Sequence, residues 1–87
     1  MISIEQIKAA RTMLGWSAVE LARRSGVGAA TVKRYELQSG IPAATTKILS
    51  SIKQTLESEG IEFIGDPLVN PGVTLHMHRR SDPPSQS

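Results

Sequence analysis

The sequence contains no cysteine and only three aromatic residues, Trp16, Tyr35 and Phe63. The first absence excludes a disulfide framework and thiolate metal chemistry, so the fold rests on packing alone and suits a reducing compartment. The second leaves too few rings for a base-stacking platform of the kind that binds RNA. No apolar run reaches bilayer-crossing length, and the N-terminus opens on an amphipathic pattern where a signal peptide would run from charged to apolar. A soluble, cytoplasmic chain is expected. Its 87 residues are enough for one core and too few for a deep cleft between two lobes. No nucleophile beside a base and no paired carboxylates stand out, so no enzyme and no cofactor are expected.

Acidic residues are scarce in the first part of the chain. Through Lys53, eight bases (Lys8, Arg11, Arg23, Arg24, Lys33, Arg34, Lys47, Lys53) face three acids (Glu5, Glu20, Glu36). Residues 54–78 reverse this, with Glu57, Glu59, Glu62 and Asp66 and no lysine or arginine, and Arg79 and Arg80 face Asp82 in the tail. A polyanion-binding face joined to a non-binding appendage has this distribution, but so does an ordinary solvated surface; charge alone decides nothing.

Local patterns are more informative. Ser3-Ile4-Glu5-Gln6 has the spacing of a capping box, Ile2 and Ile7 that of a hydrophobic staple, and Ile4, Ile7, Ala10, Arg11 and Leu14 recur on one face, which predicts a helix over residues 4–14. Ser17-Ala18-Val19-Glu20 repeats the capping spacing, with Trp16 and Leu21 as the staple, and Gly26 ends this second helix within a turn or two. A third helix is predicted from Gly28 to Leu37. After the Gly40-Ile41-Pro42 loop a fourth runs from Thr45 to Glu59, with Ile48, Leu49, Ile52 and Leu56 as its stripe and Gly60 as its cap. The period then changes to two: Ile61 and Phe63, then Val73, Leu75 and Met77, flank a Gly- and Pro-rich turn, predicting a β-hairpin or strand pair. Three regions result: 1–59 helical, 60–78 a β extension, and a disordered tail over 79–87.

Two short helices joined by a glycine turn, with Ala22 small at mid-helix and Leu21, Val27, Val32 and Tyr35 placed to face the rest of the core, meet the requirements of a helix-turn-helix. Leu14-Gly15-Trp16-Ser17, Glu20-Leu21-Ala22-Arg23-Arg24-Ser25-Gly26-Val27 and Thr31-Val32-Lys33-Arg34-Tyr35-Glu36 resemble the Cro and phage-repressor (XRE) type of helix-turn-helix over about residues 3–58. The stretch from Gly60 to Leu75 resembles a C-terminal extension of short bacterial members.

That resemblance implies a mainly α, lambda-repressor-like bundle of about four helices with a small β element. Its implied function is a transcriptional regulator, a repressor, that binds double-stranded DNA as a homodimer. It places Ala29, Ala30 and Arg34 of the third helix near base edges and Gly28, Thr31 and Lys33 toward phosphates, with Ser17, Ala18, Arg23 and Arg24 completing the DNA-binding set. It also pairs Arg11 with Glu36 in a structural ion pair. Ala18 stands where family members commonly carry a phosphate-binding glutamine, and Gly28, Ala29 and Ala30 replace polar residues, so direct base readout should be sparse. Ile61, Phe63, Val73 and Leu75 are expected to pack on the fourth helix and on their counterparts in a second chain, because a lone hairpin is barely stable.

Competing readings are a protein-interaction bundle and the antitoxin half of a toxin-antitoxin operon, in which the acidic stretch after residue 54 would bind a toxin partner. His76 and His78 share a strand face, but two imidazoles without a third ligand are not a metal site, and no metal is expected.

Overall fold

The computed structural model describes residues 1–43 and 46–77. Helix α1, Ile4–Met13, begins as its sequence dictates. The Ser3 hydroxyl accepts from the Gln6 N–H (3.2 Å), and Gln6 Oε1 accepts from the Ser3 N–H (3.0 Å), closing the capping box. Ile4, Ile7 and Ala10 are buried along one side. Helix α2, Ala18–Ser25, opens differently from expectation. Ser17 Oγ accepts from the Glu20 N–H (3.0 Å), but the second box stays half-formed because the Glu20 carboxylate turns to Arg23 and Arg24 instead of back to the cap. Gly26, at φ +74°, takes the left-handed conformation that stops α2 and donates its N–H to the Ala22 carbonyl (3.0 Å).

Helix α3 runs Ala29–Glu36, with Gly28 and Leu37 as the flanking caps, and α4 runs Thr46–Ser58. Thr45, expected to open α4, lies outside the described residues, and Glu59 falls in the turn after it. Between α3 and α4 the loop is stitched to the start of α1: the Ile4 N–H donates to the Gly40 carbonyl (2.8 Å), and the Glu5 carboxylate accepts from the Gly40 N–H (3.1 Å).

Strands β1, Ile61–Ile64, and β2, Gly72–Leu75, pair antiparallel with Ile61 opposite Leu75 and Phe63 opposite Val73. Side chains alternate across a strand, so this register puts all four apolar residues on one face. Met77 lies beyond β2 and is exposed. The connecting loop depends on Gly65, at φ +77°, where a Cβ would meet the Asn70 carbonyl oxygen at 2.0 Å. Asp66 Oδ1 accepts from the N–H groups of Leu68 (2.8 Å) and Val69 (3.1 Å), an Asx-turn that shapes the tip.

The apolar face of the hairpin belongs to the same core as the helices. Ile61 is 4% exposed and joins Ile4, Ile7, Leu21, Val32, Ile52 and Leu56; Phe63, Val73 and Leu75 pack against that cluster half-buried. A polar clasp completes the attachment. Gln6 Nε2 donates to the carbonyls of Ile64 (3.1 Å) and Gly72 (3.0 Å), one on each strand, so the residue that caps α1 also holds the hairpin. The boundary at residues 59 and 60 therefore separates helix from strand, while the core runs across it. His78 and the tail 79–87 lie outside the described residues.

Candidate nucleic-acid interface

The helix pair α2–α3 is built from small and apolar residues on its inner side. Leu21 and Ala22 of α2 and Val32 and Tyr35 of α3 are buried, and Val27 in the turn is half-buried, its N–H bonded to the Ala22 carbonyl (3.2 Å). What remains outside is the candidate interface. On α3, Ala30, Lys33 and Arg34 are exposed, and Ala29 and Thr31 are half-buried. Ala30 and Arg34 are one turn apart and so share a face. The Arg34 guanidinium lies 5.7 Å from the Tyr35 ring centroid, a cation–π contact that leans its stem back on the helix. Gly28 precedes α3 with no side chain to cap it, and the first turn carries no acid, so its N–H groups have no side-chain acceptor of the kind Ser17 gives α2. Ser17 is exposed with its hydroxyl committed to the Glu20 N–H, and Ala18 is half-buried against the core.

Arg11 and Glu36 come together in a forked pair. Arg11 Nε reaches Glu36 Oε2 at 2.7 Å and Nη2 reaches Oε1 at 2.9 Å, while Nη1 donates to the Trp16 carbonyl at 2.7 Å. One guanidinium thus ties the end of α1 to the last residue of α3 and to the turn that leads into α2. The side chains are 20% and 11% exposed, so the pair is sheltered but not sealed from water. Two parallel N–H···O bonds fix orientation as well as distance, which a lysine at position 11 could not do.

The two arginines of α2 part company. Arg24 lies over the Trp16 ring, 4.4 Å from its centroid, and reaches Glu20 Oε2 (2.5 Å) and Glu59 Oε2 (3.7 Å). Arg23 is 68% exposed and engages the same Glu20 carboxylate through both Nε (3.2 Å to Oε1) and Nη2 (2.5 Å to Oε2). Hydrogen bonds from Arg23 and then Arg24 hold the Glu20 carboxyl below its ordinary value, and the same contact raises Arg23. Glu20 escaped the sequence reading in this role, although its i+3 and i+4 spacing to two arginines is a legible signal. The clasp made by Gln6 has no such signal, since its partners lie 58 and 66 residues away.

The helix-turn-helix family model matches residues 7–50, from the first turn of α1 to the first turns of α4. This chain belongs to the helix-turn-helix family. It is a DNA-binding regulator of the Cro and phage-repressor type, with α2 and α3 as the motif's two helices. The hairpin falls outside the matched span. No curated protein matches the chain. Among the described residues no helix-turn-helix element or other helix is long and apolar enough to cross a membrane, and no three His, Cys, Asp or Glu side chains group to hold a metal. His76 pairs instead with Glu62, at 2.7 Å across the hairpin.

Proposed function

We propose that this regulator represses transcription by binding an operator as a homodimer, each chain laying α3 in the major groove of duplex DNA. The observation that supports this most is the outward face of α3. It carries small side chains at positions 29 and 30, then Lys33 and Arg34, on a helix braced from behind by Arg11, Glu36 and the Trp16 carbonyl. Alanines let a helix approach the bases closely and meet thymine methyl groups, and an arginine one turn on can pair with guanine O6 and N7. In this reading Arg34, Ala29 and Ala30 face base edges. Gly28, Thr31, Lys33, Ser17, Ala18 and Arg23 face phosphates, with Arg24 turned toward Trp16 at their border.

Dimerisation follows from the arithmetic of recognition, since one such helix covers only a few base pairs and two half-sites a helical turn apart supply the missing specificity. We place the second chain on the hairpin side, where Phe63, Val73 and Leu75 keep part of their surface; Ile61, nearly covered by its own chain, contributes least. The test is selection of bound fragments from genomic DNA, followed by sedimentation of the protein alone and with the selected duplex. A two-fold symmetric site bound by two chains is expected. A strict monomer on an asymmetric site would overturn the dimer, and absence of any duplex binding at low salt would overturn the whole reading.

One observation favours a second role as an antitoxin. Leu68 and Val69 stand 67% and 81% exposed at the hairpin tip beside Asp66, an apolar point on the acidic part of the chain that a basic toxin would fit. Co-expression with the neighbouring gene product and copurification of a basic partner tests it.

A further inference from the structure

Glu20 offers Arg23 what a DNA phosphate would offer it. The guanidinium fork is filled by two carboxylate oxygens, at 3.2 and 2.5 Å, in the bidentate manner that arginine uses for carboxylates and phosphates alike. Arg24 is anchored elsewhere as well, on Trp16 and Glu59, so it is built into the α2–α4 junction. Among the described residues Arg23 shows no second anchor of that kind beside Glu20, and its side chain stands 68% exposed. From this asymmetry we infer that Glu20 is an affinity-setting residue: it holds Arg23 as an internal substitute for phosphate, lowering affinity for duplex DNA of any sequence while leaving contacts from α3 untouched. The inference rests on the DNA-binding function proposed above.

The physical reason is competition. To bind a phosphate, Arg23 must give up an exposed ion pair, which is weak enough to exchange, and must leave the Glu20 carboxylate behind beside the phosphate it has joined. Both effects weaken the phosphate contact made by Arg23, and by the same amount on operator and random DNA. Because the penalty is the same on both, affinity for operator and for random DNA falls by the same factor, and Glu20 sets how tightly the protein holds duplex at a given salt concentration without changing which sequence it prefers. The lowered pKa of Glu20 keeps this carboxylate charged across the neutral range.

The experiment uses the full chain and a fluorescently labelled duplex of mixed sequence, about three helical turns long, titrated by anisotropy between about 50 and 200 mM salt. Glu20→Gln removes the charge and keeps the side-chain volume, and Glu62→Gln makes the same net-charge change on the hairpin. Glu20→Gln should tighten binding about two- to fivefold beyond Glu62→Gln, the factor an exposed ion pair carries, and steepen the logarithmic salt slope by about one. In an Arg23→Gln background the gain should vanish. Thermal melts establish that each variant is folded. Independently of any variant, the Arg23 Nε–H resonance of the wild type should move when duplex is added. A Glu20→Gln protein that binds no tighter than Glu62→Gln, a gain that survives Arg23→Gln, or an unmoved Arg23 resonance in a DNA-bound wild type overturns the inference. Wild type that binds no duplex overturns the DNA-binding reading itself, a different failure from the other three.

Discussion

Replacing Gln6 should loosen the hairpin more than any exposed substitution on it. The Gln6 side chain is 2% exposed and makes three bonds: Oε1 accepts from the Ser3 N–H, and Nε2 donates to the Ile64 and Gly72 carbonyls. Gln6→Ala removes all three. The two carbonyls are part-buried, so leaving them unpaired costs toward the lower end of the roughly 1–3 kcal/mol for a buried polar group, and the lost capping arm adds about 0.5–1 kcal/mol. The sum is about 3 kcal/mol, and at roughly 4–8 °C per kcal/mol for a domain of this size Tm should fall by about 12–24 °C. Gln6→Glu should be worse than alanine despite its closer shape, because it keeps the acceptor but sets a carboxylate against two carbonyl oxygens. Melting by circular dichroism measures the first, and hydrogen exchange at β1 and β2 shows whether the hairpin is what opens. A Gln6→Glu protein as stable as wild type would refute the clasp.

Glu36→Ala should cost about 2–4 kcal/mol, somewhat under the range for a fully buried pair because Arg11 and Glu36 retain some exposure, while a paired apolar replacement should cost much less; urea titration of the single and double variants measures both. Arg34→Ala should relax preference at one symmetric pair of operator positions by about 1–3 kcal/mol, whereas Lys33→Ala should weaken all sequences alike and flatten the salt slope by about one, distinctions a base-by-base affinity scan resolves. Glu20 has a folded-state pKa below its ordinary 4.5, so its contribution to stability is present above pH 4.5 and is lost as pH falls through the lowered value. The difference between wild type and Glu20→Gln in melts at low salt should therefore be present near neutrality and close at the acid end.

The two serine caps show how far a local pattern carries. Ser3 with Gln6 and Ser17 with Glu20 have identical spacing, yet only the first closes its box. At the second, two guanidiniums within one turn compete for the side chain, and a charge-assisted bond outcompetes the neutral backbone N–H. Helix limits were legible to within a residue or two because capping, staples and the left-handed glycine at position 26 act within four residues. Alternation likewise revealed both strands, though it extended the second to Met77, where pairing has already ended and the His76 N–H instead bonds the Gly60 carbonyl (2.8 Å). Arg11 and Glu36 were placed through family resemblance. Their third partner, the Trp16 carbonyl, is a backbone atom that no side-chain pattern announces. The attachment of the hairpin to α1 was illegible for a related reason: strand periodicity says which residues share a face but not which surface that face meets.

That attachment bears on whether the DNA-binding half can exist alone. The family span ends at residue 50 and the helices end at Ser58, so residues 1–59 look like a self-sufficient unit. The core argues otherwise. Cutting after Glu59 removes Ile61, almost wholly buried, and three half-buried residues, Phe63, Val73 and Leu75, from the α1–α4 surface. At about 1.5–3 kcal/mol for a fully buried side chain and half that for the others, the loss is about 4–7 kcal/mol. Removal of the strands also leaves the Gln6 amide facing water, which spares it an unsatisfied bond but ends the clasp. A domain this small has a total stability of about 5–15 kcal/mol, so the shortened chain should be largely unfolded or melt far below the full one, with α3 losing its fixed posture along with the core. Circular dichroism and melting of residues 1–59 beside residues 1–77 decide the matter. If the shorter chain melts cooperatively within a few degrees of the longer, the hairpin is an ornament on a finished domain, and its apolar face is then free for a partner.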